Sequence, residues 1–118
     1  QGDEIPLVSQ HHSLKEALVE MTRKKLGMTT VINDAGELIG IFTDGDVRRA
    51  FDKNADIHNT QIQQVMSRNP KTITRHFLAA EALNIMETYK ITSLVVVDEQ
   101  NKPDGIIHIH DILRAGVV

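Results

Sequence analysis

Two copies of one sequence pattern occur in this chain, and their constant separation restricts the fold more than any other feature. The segments SLKEALVEM (Ser13–Met21) and LAAEALNIM (Leu78–Met86) carry Glu, Ala, Leu and Met at positions 65 residues apart. The same separation relates three further pairs: Gly40 and Gly105, Asp46 and Asp111, and Arg49 and Arg114. One unit of this size buries too little apolar surface alone, so we expect two units that share a core.

Each copy is predicted to fold as a β-α-β-β-α unit. In the first copy, apolar residues at helical spacing follow Ser13, which forms a capping-box pattern with Glu16. Segments rich in β-branched residues, at Met28–Asn33 and Thr92–Asp98, predict the long strand of each copy. A second strand then runs into a short helix, at Asp46–Phe51 in the first copy and at Asp111–Ala115 in the second.

These elements predict an α/β (α+β) protein in which two repeats pack as a pseudo-twofold pair. We place repeat 1 with its linker at 1–60 and repeat 2 at 61–118. The segment Asp52–Pro70 between the copies is polar at first and then has a short apolar face. This pattern predicts a linker with one or two helical turns, ended by Asn69 and Pro70.

Composition excludes several classes of function. The formal net charge is −3, so the summed field of the protein does not favour nucleic acid. Cysteine is absent, which excludes disulfides, thiolate metal sites and cysteine nucleophiles. No apolar run reaches the length of a membrane span. We therefore expect a cytoplasmic protein without a nucleic-acid or membrane partner.

The segment GIFTDGDVRRAF, residues 40–51, places donors, acids and cations where a strand is predicted to end and a helix to begin. Free N–H groups at a helix N-terminus attract anions, and a threonine hydroxyl adds a donor. An aspartate after a strand is suited to accept hydrogen bonds from the hydroxyls of a ribose. A glycine lets the backbone approach a ligand closely. Arginine pairs with phosphate. The predicted phosphate and ribose site comprises Thr43, Asp44, Gly45, Asp46, Arg48 and Arg49.

An alternative without a ligand is open at this junction. Thr43 or an aspartate could be the N-cap of the helix, which stabilises a protein by about 1 kcal/mol. The local sequence favours the cap, whereas the return of the acid at Asp111 in the second copy favours a binding site. Arg48 and Arg49 have their own alternative as solvated surface charges.

The second copy departs from the first at this junction. In GIIHIHDILRAG, residues 105–116, His108 replaces Thr43 and His110 replaces Gly45, while Asp111 is retained. Imidazole donates to phosphate, but its charge depends on pH near neutrality. Two histidines at this spacing also supply two zinc ligands, with a third still required. We favour an anion site at these residues over a metal site, with simple hydrogen-bonded histidines as the alternative.

The tandem unit, the sequence VM-x-x-x-P before the second copy and the ending G-h-h-T-x-x-D resemble a pair of CBS domains (a Bateman module). GIFTDGDVRRAF and GIIHIHDILRAGVV also resemble the C-terminal half of the D-arabinose 5-phosphate isomerases of Gram-negative bacteria. In that family a CBS pair follows a sugar-isomerase domain. The chain begins at Gln1 rather than Met, so we expect it to be a piece of such a protein.

The resemblance implies a regulatory module that modulates an isomerase domain in cis and that has no catalysis of its own. It also implies a homodimer through the CBS pairs, with a tetramer in the full-length protein. The alternative is a CBS pair that serves mainly in oligomerisation and has no physiological ligand. A third interpretation, an enzyme in its own right, lacks a nucleophile-base-acid set in the sequence.

The resemblance further implies two clefts that bind nucleotide-like ligands, with no cofactor. Adenosine phosphates such as AMP and ATP are the usual ligands of the family. Arabinose 5-phosphate leads to Kdo, the sugar acid of lipopolysaccharide, which makes CMP-Kdo a second candidate effector. The implied cleft walls include Leu7, Met28, Thr29 and Thr30 from repeat 1, and Ile73, Thr92 and Ser93 from repeat 2.

Overall fold

The computed structural model describes residues 5–114 of the 118-residue chain. Its elements follow the predicted order twice, with a short connecting segment between the two repeats. Repeat 1 comprises β1 (Leu7–Ser9), α1 (Leu14–Lys24), β2 (Met28–Ile32), β3 (Leu38–Thr43) and α2 (Asp44–Asp52). The connecting segment has a 3-10 turn (Ile62–Gln64) and β4 (Ser67–Arg68). Repeat 2 comprises β5 (Thr72–Thr74), α3 (Ala79–Tyr89), β6 (Ser93–Val97), β7 (Pro103–His108) and α4 (Ile109–Arg114).

Each repeat builds one sheet. In both sheets the first strand lies parallel to the long central strand, which then pairs antiparallel with the strand after it. The first sheet has the order β1-β2-β3-β4, and the second has the order β5-β6-β7. The predicted duplication of one fold is therefore confirmed.

The connecting segment contributes a strand that the sequence did not predict. β4 pairs antiparallel with β3 of repeat 1, with Arg68 opposite Gly40 and Ser67 opposite Ile41. A Cβ on Gly40 would lie 2.5 Å from the Met66 sulfur and 2.8 Å from the Ser67 carbonyl oxygen. Glycine is required at this position because β4 approaches β3 so closely.

The two long helices begin differently. Ser13 caps α1 in the predicted capping box, with its hydroxyl accepting from the Glu16 amide and the Glu16 carboxylate accepting from the Ser13 amide. The hydrogen bond from the Ser13 amide holds the pKa of the Glu16 carboxyl below its ordinary value. At the start of α3 the hydroxyl is replaced by Leu78, a residue that is 71% exposed.

The core has three parts. One lies within each repeat, and the third lies between the two sheets, where Met28 and Leu38 meet Val95 and Val97. Leu38 and Asn101 tie the repeats at this contact, since the Leu38 amide donates to the Asn101 carbonyl and the Asn101 side chain donates to the Leu38 carbonyl. The expected shared core is thus present. None of the helices in residues 5–114 has the length and apolar character that crossing a bilayer requires.

Candidate functional site

The junction between β3 and α2 is an N-cap built by a threonine and an aspartate. Thr43 is the cap residue, and its hydroxyl accepts a hydrogen bond of 3.4 Å from the Asp46 amide. The Asp46 carboxylate accepts in return from the Thr43 amide, at 2.9 Å. The helix begins at Asp44, two residues earlier than predicted. The N-cap alternative describes the local geometry, and the ligand role of these residues stays a prediction.

Asp46 is a buried acid with its acceptor positions filled. Its residue is 3% exposed, and Oδ2 accepts from the Thr43 amide and hydroxyl. Oδ1 accepts from the Arg49 guanidinium at 2.6 Å and from the Ser67 hydroxyl at 2.8 Å. Burial acts to raise the pKa of this carboxyl, but the hydrogen bonds from Arg49, Thr43 and Ser67 outweigh it. The pKa of Asp46 therefore lies below its ordinary value.

The other predicted residues of this junction lie closer to solvent. Asp44 and Arg48 are exposed, and the Arg49 side chain is 63% exposed despite its ion pair with Asp46. Gly45 is half-buried in the first turn of α2, where an added Cβ would lie 3.5 Å from the Arg49 guanidinium. The first turn of α2 thus has one buried acid and one exposed acid, and two exposed arginines follow it.

A cleft of about 420 Å³ lies between the repeats beside this junction. Four of the predicted residues meet in its lining: Met28 and Thr43 from repeat 1, and Thr92 and Ser93 from repeat 2. Ile41, Ile91, Pro70 and Val95 add apolar surface. The two copies therefore come together at one cavity, as a site shared between pseudo-symmetric repeats requires.

Sequence reasoning missed several polar residues of this cleft. Ser67, Arg68 and Lys71 line it from the connecting segment, and Lys90 lines it from the end of α3. The Lys71 ammonium lies 4.0 Å from the centre of the Tyr89 ring. The signal that could have found the first three residues is the segment VMSRNPK, in which we interpreted the residues up to Pro70 as a linker and as part of the CBS pattern, without a role in binding.

Other residues predicted for the cleft walls are occupied elsewhere. Thr29 and Thr30 are fully buried, and their hydroxyls donate to backbone carbonyls, Thr30 to that of Pro6 at 2.8 Å. Ile73 belongs to the core of repeat 2, and Leu7 is 38% exposed on β1. None of these four residues is part of the lining of the 420 Å³ cleft.

The second junction, between β7 and α4, is more open than the first. The rings of His108 and His110 stack with their centroids 4.9 Å apart, and the His110 amide donates to Nδ1 of His108. The Asp111 side chain is 60% exposed and lies 3.4 Å from the Arg114 guanidinium. Within residues 5–114, no three metal-ligating side chains cluster in a way that could hold an ion.

A comparison with known families decides the assignment of the fold. Residues 3–53 and 62–118 each match the model of the CBS domain. The chain belongs to the CBS domain family. Each CBS match contains one copy of the repeated pattern, and the residues between the matches fall in the connecting segment.

The CBS pair is also similar to part of a known enzyme. It is 53% identical to arabinose 5-phosphate isomerase of Pseudomonas aeruginosa over 117 residues, and this match covers 99% of the chain. The chain spans 36% of the length of that isomerase. The predicted relationship to the CBS part of these isomerases is confirmed.

Two solved CBS structures share the fold closely. One is a CBS domain protein from Pyrobaculum aerophilum complexed with AMP, with a TM-score of 0.82 and 16% identity over 91% of this chain and 82% of that one. The other is a CBS domain pair in complex with 5'-methylthioadenosine and S-adenosyl-L-methionine. Its TM-score is 0.83, with 24% identity over 95% of this chain and 87% of that one. At these identities the likeness concerns the fold.

Proposed function

We propose that this CBS pair is the regulatory module of an arabinose 5-phosphate isomerase and that the cleft between its repeats binds a nucleotide. The observation that carries the proposal is the cleft of about 420 Å³, which joins Thr43 at a helix N-terminus to the side chains of Arg68, Lys71 and Lys90. A cavity of this size suits a mononucleotide. Its cations suit the negative charge of such a ligand.

The parts of a nucleotide match different walls of the cleft. The apolar surface of Met28, Ile41 and Val95 suits a base. The phosphate is assigned to the Thr43 hydroxyl and the cations, and the ribose to the Asp46 carboxylate that lies behind Thr43. The base and the phosphate therefore have chemical partners in the cleft lining, and the ribose has one directly behind it.

The effector is proposed to be an adenosine phosphate or CMP-Kdo. The solved relatives in complex with AMP and with adenosine derivatives support the first choice. The relationship to arabinose 5-phosphate isomerase supports the second, because CMP-Kdo carries a carboxylate besides its phosphate and the cleft has three cations to pair with them.

A thermal-shift titration with AMP, ATP, CMP and CMP-Kdo tests this function. We expect a shift with at least one of these ligands, and calorimetry then gives its Kd. The double variant Lys71→Met/Lys90→Met should lose the shift. Lys53→Met, which removes an exposed cation outside the cleft lining, is the matched control and should keep it. The absence of any shift with all four ligands would contradict the proposal.

The ligand is proposed to act on an isomerase domain in the same polypeptide, in a cytoplasmic protein. A ligand biases a linked domain only through different affinities for its two states. The 118-residue chain should therefore show no aldose-ketose isomerisation. In the full-length enzyme, by contrast, the effector should change the rate of isomerisation. Turnover by the CBS pair alone would contradict this division of roles.

Oligomerisation through the helices is a second candidate function, which can operate beside the first. Phe51 on α2 and Leu113 on α4 are each about half exposed, at 51% and 48%, and Val19 on α1 is 51% exposed. Sedimentation of the chain should reveal a dimer, and Phe51→Glu with Leu113→Glu should dissociate it. If these variants remain dimeric while the Lys71 and Lys90 variant loses ligand, the helices do not form the interface.

A further inference from the structure

The Oδ1 atom of Asp46 joins two segments of the protein, α2 and β4. It accepts from Arg49 on α2 at 2.6 Å and from Ser67 on β4 at 2.8 Å, while Asp46 itself belongs to the first turn of α2. Ser67 and Thr43, two of the residues that donate to this carboxylate, line the cleft, whereas Asp46 stands behind them and is 3% exposed. A group that reaches Asp46 from the cleft thus meets these hydroxyls first.

The carboxylate has no acceptor position to spare. A carboxylate offers about four lone-pair sites, and Asp46 receives four donors. The two hydroxyls of a ribose therefore bind it only by replacing existing donors.

The donors differ in how readily they are replaced. Those on Oδ2 come from Thr43, whose amide and hydroxyl form the cap of α2 itself. Those on Oδ1 are the hydroxyl of Ser67, from a separate strand, and the guanidinium of Arg49, whose side chain is 63% exposed. Replacing the Oδ1 pair leaves the helix cap intact, and both released donors can turn to water or to a ligand.

We propose that Ser67 and Arg49 compete with ribose for Oδ1 of Asp46, so that ligand binding in the cleft detaches β4 from α2. The inference rests on the proposed nucleotide function. Arg49 then exchanges a carboxylate for the anionic group of the ligand, and Ser67 loses its contact with the helix. Ser67 and Arg49 are positioning residues in this scheme, because they act on the ligand through Asp46.

The exchange couples the cleft to the segment between the repeats. β4 pairs with β3 through only two residues, Ser67 and Arg68. The Ser67 hydroxyl adds its hydrogen bond to Asp46 to this pairing, and Met66, the residue before it, packs in the core of repeat 1. A ligand that replaces the Ser67 hydroxyl on Asp46 therefore loosens the strand that precedes the second repeat.

The test measures binding of AMP and of adenosine to the wild-type chain and to Ser67→Ala by calorimetry. We expect Ser67→Ala to bind both ligands more tightly, by roughly 2- to 10-fold, since a competing hydrogen bond is gone. Ser93→Ala removes a hydroxyl from the same cleft that does not contact Asp46, and it should not tighten binding. Arg49→Gln should tighten adenosine more than AMP, because AMP also loses an anion partner.

Hydrogen exchange gives an independent readout. With saturating AMP, the amides of β4 should exchange faster in the wild-type chain, whereas a merely structural Ser67 predicts unchanged or slower exchange. If AMP and adenosine bind but Ser67→Ala binds them equally or more weakly, the competition is refuted and the proposed function stands. If the wild-type chain binds none of AMP, ATP, adenosine, CMP and CMP-Kdo, the proposed function is refuted and the inference with it.

Discussion

The same sequence slot holds two different aspartates in the two repeats. Asp46 is buried, with four hydrogen-bond donors around it, whereas the side chain of Asp111 is 60% exposed and lies 3.4 Å from a single arginine. The difference follows from their neighbours. Thr43 and β4 enclose Asp46, while His108 takes the threonine position in repeat 2. The same residue type at equivalent positions of two repeats therefore does not guarantee the same environment.

Replacing each aspartate should give the largest difference in stability between the two repeats. Asp46→Ala removes a buried carboxylate that accepts four hydrogen bonds from Thr43, Arg49 and Ser67, so we expect a loss of about 2–3 kcal/mol in the free energy of unfolding. Asp111→Ala should change it by less than about 0.5 kcal/mol, because the side chain is exposed. Urea denaturation of both variants measures the difference, and equal losses would show that burial is not what separates the two sites.

Replacing the glycines at the equivalent strand position, Gly40 and Gly105, should give the next largest difference in stability. Gly40→Ala places a Cβ within 2.8 Å of the Ser67 carbonyl oxygen and should cost about 1–3 kcal/mol by overpacking. For Gly105→Ala, the nearest described atoms are those of Val96 at 3.8 and 3.9 Å, which is ordinary contact. In thermal unfolding, Tm should therefore be lower for Gly40→Ala and unchanged for Gly105→Ala. A similar loss at Gly105 would indicate that a further strand lies against β7.

The helix starts offer a change of opposite sign. Leu78→Ser would place a hydroxyl three residues before Glu81, which already accepts from the residue 78 amide, and so would complete the capping box that Ser13 forms with Glu16. We expect this variant to gain about 1 kcal/mol in the free energy of unfolding, and Ser13→Ala to lose a similar amount. Chemical denaturation of the pair checks both signs; a loss at Leu78→Ser would mean that the leucine contributes packing.

The dependence of unfolding on pH should show the smallest effect of Asp46, and only at low pH. The pKa of Asp46 is lowered in the folded protein, so its stabilising contribution is complete above the unfolded value near 4 and is lost as pH falls toward the folded value. Asp46→Asn should remove this part of the acid dependence of unfolding. Denaturation of both proteins between pH 6 and pH 2 (an approximate range) measures it, and parallel curves would contradict the prediction.

Local sequence signals were sufficient for the repeated elements. Residue patterns within each copy predicted the order of strands and helices, and Ser13 with Glu16 marked the start of α1 correctly. These features depend on residues close together along the chain, where spacing and capping chemistry decide the structure. The boundary at residues 60 and 61 stays a prediction.

Contacts between distant segments were beyond the sequence pattern. β4 has two residues and pairs with a strand more than twenty positions earlier, so no periodicity announces it. Its Ser67 therefore went unrecognised as a partner of Asp46. The position of Thr30 outside the cleft lining has a related reason, because a threonine hydroxyl that suits a ligand is equally suited to donate to the carbonyl of Pro6 on a neighbouring segment.

Because β4 is borrowed from the stretch that leads into repeat 2, repeat 1 alone would leave the outer side of β3 unpaired. An exposed sheet edge of this kind is a template for aggregation. Repeat 1 released by proteolysis or expressed by itself should precipitate or capture another chain, so the segment that supplies β4 also protects repeat 1 against self-association.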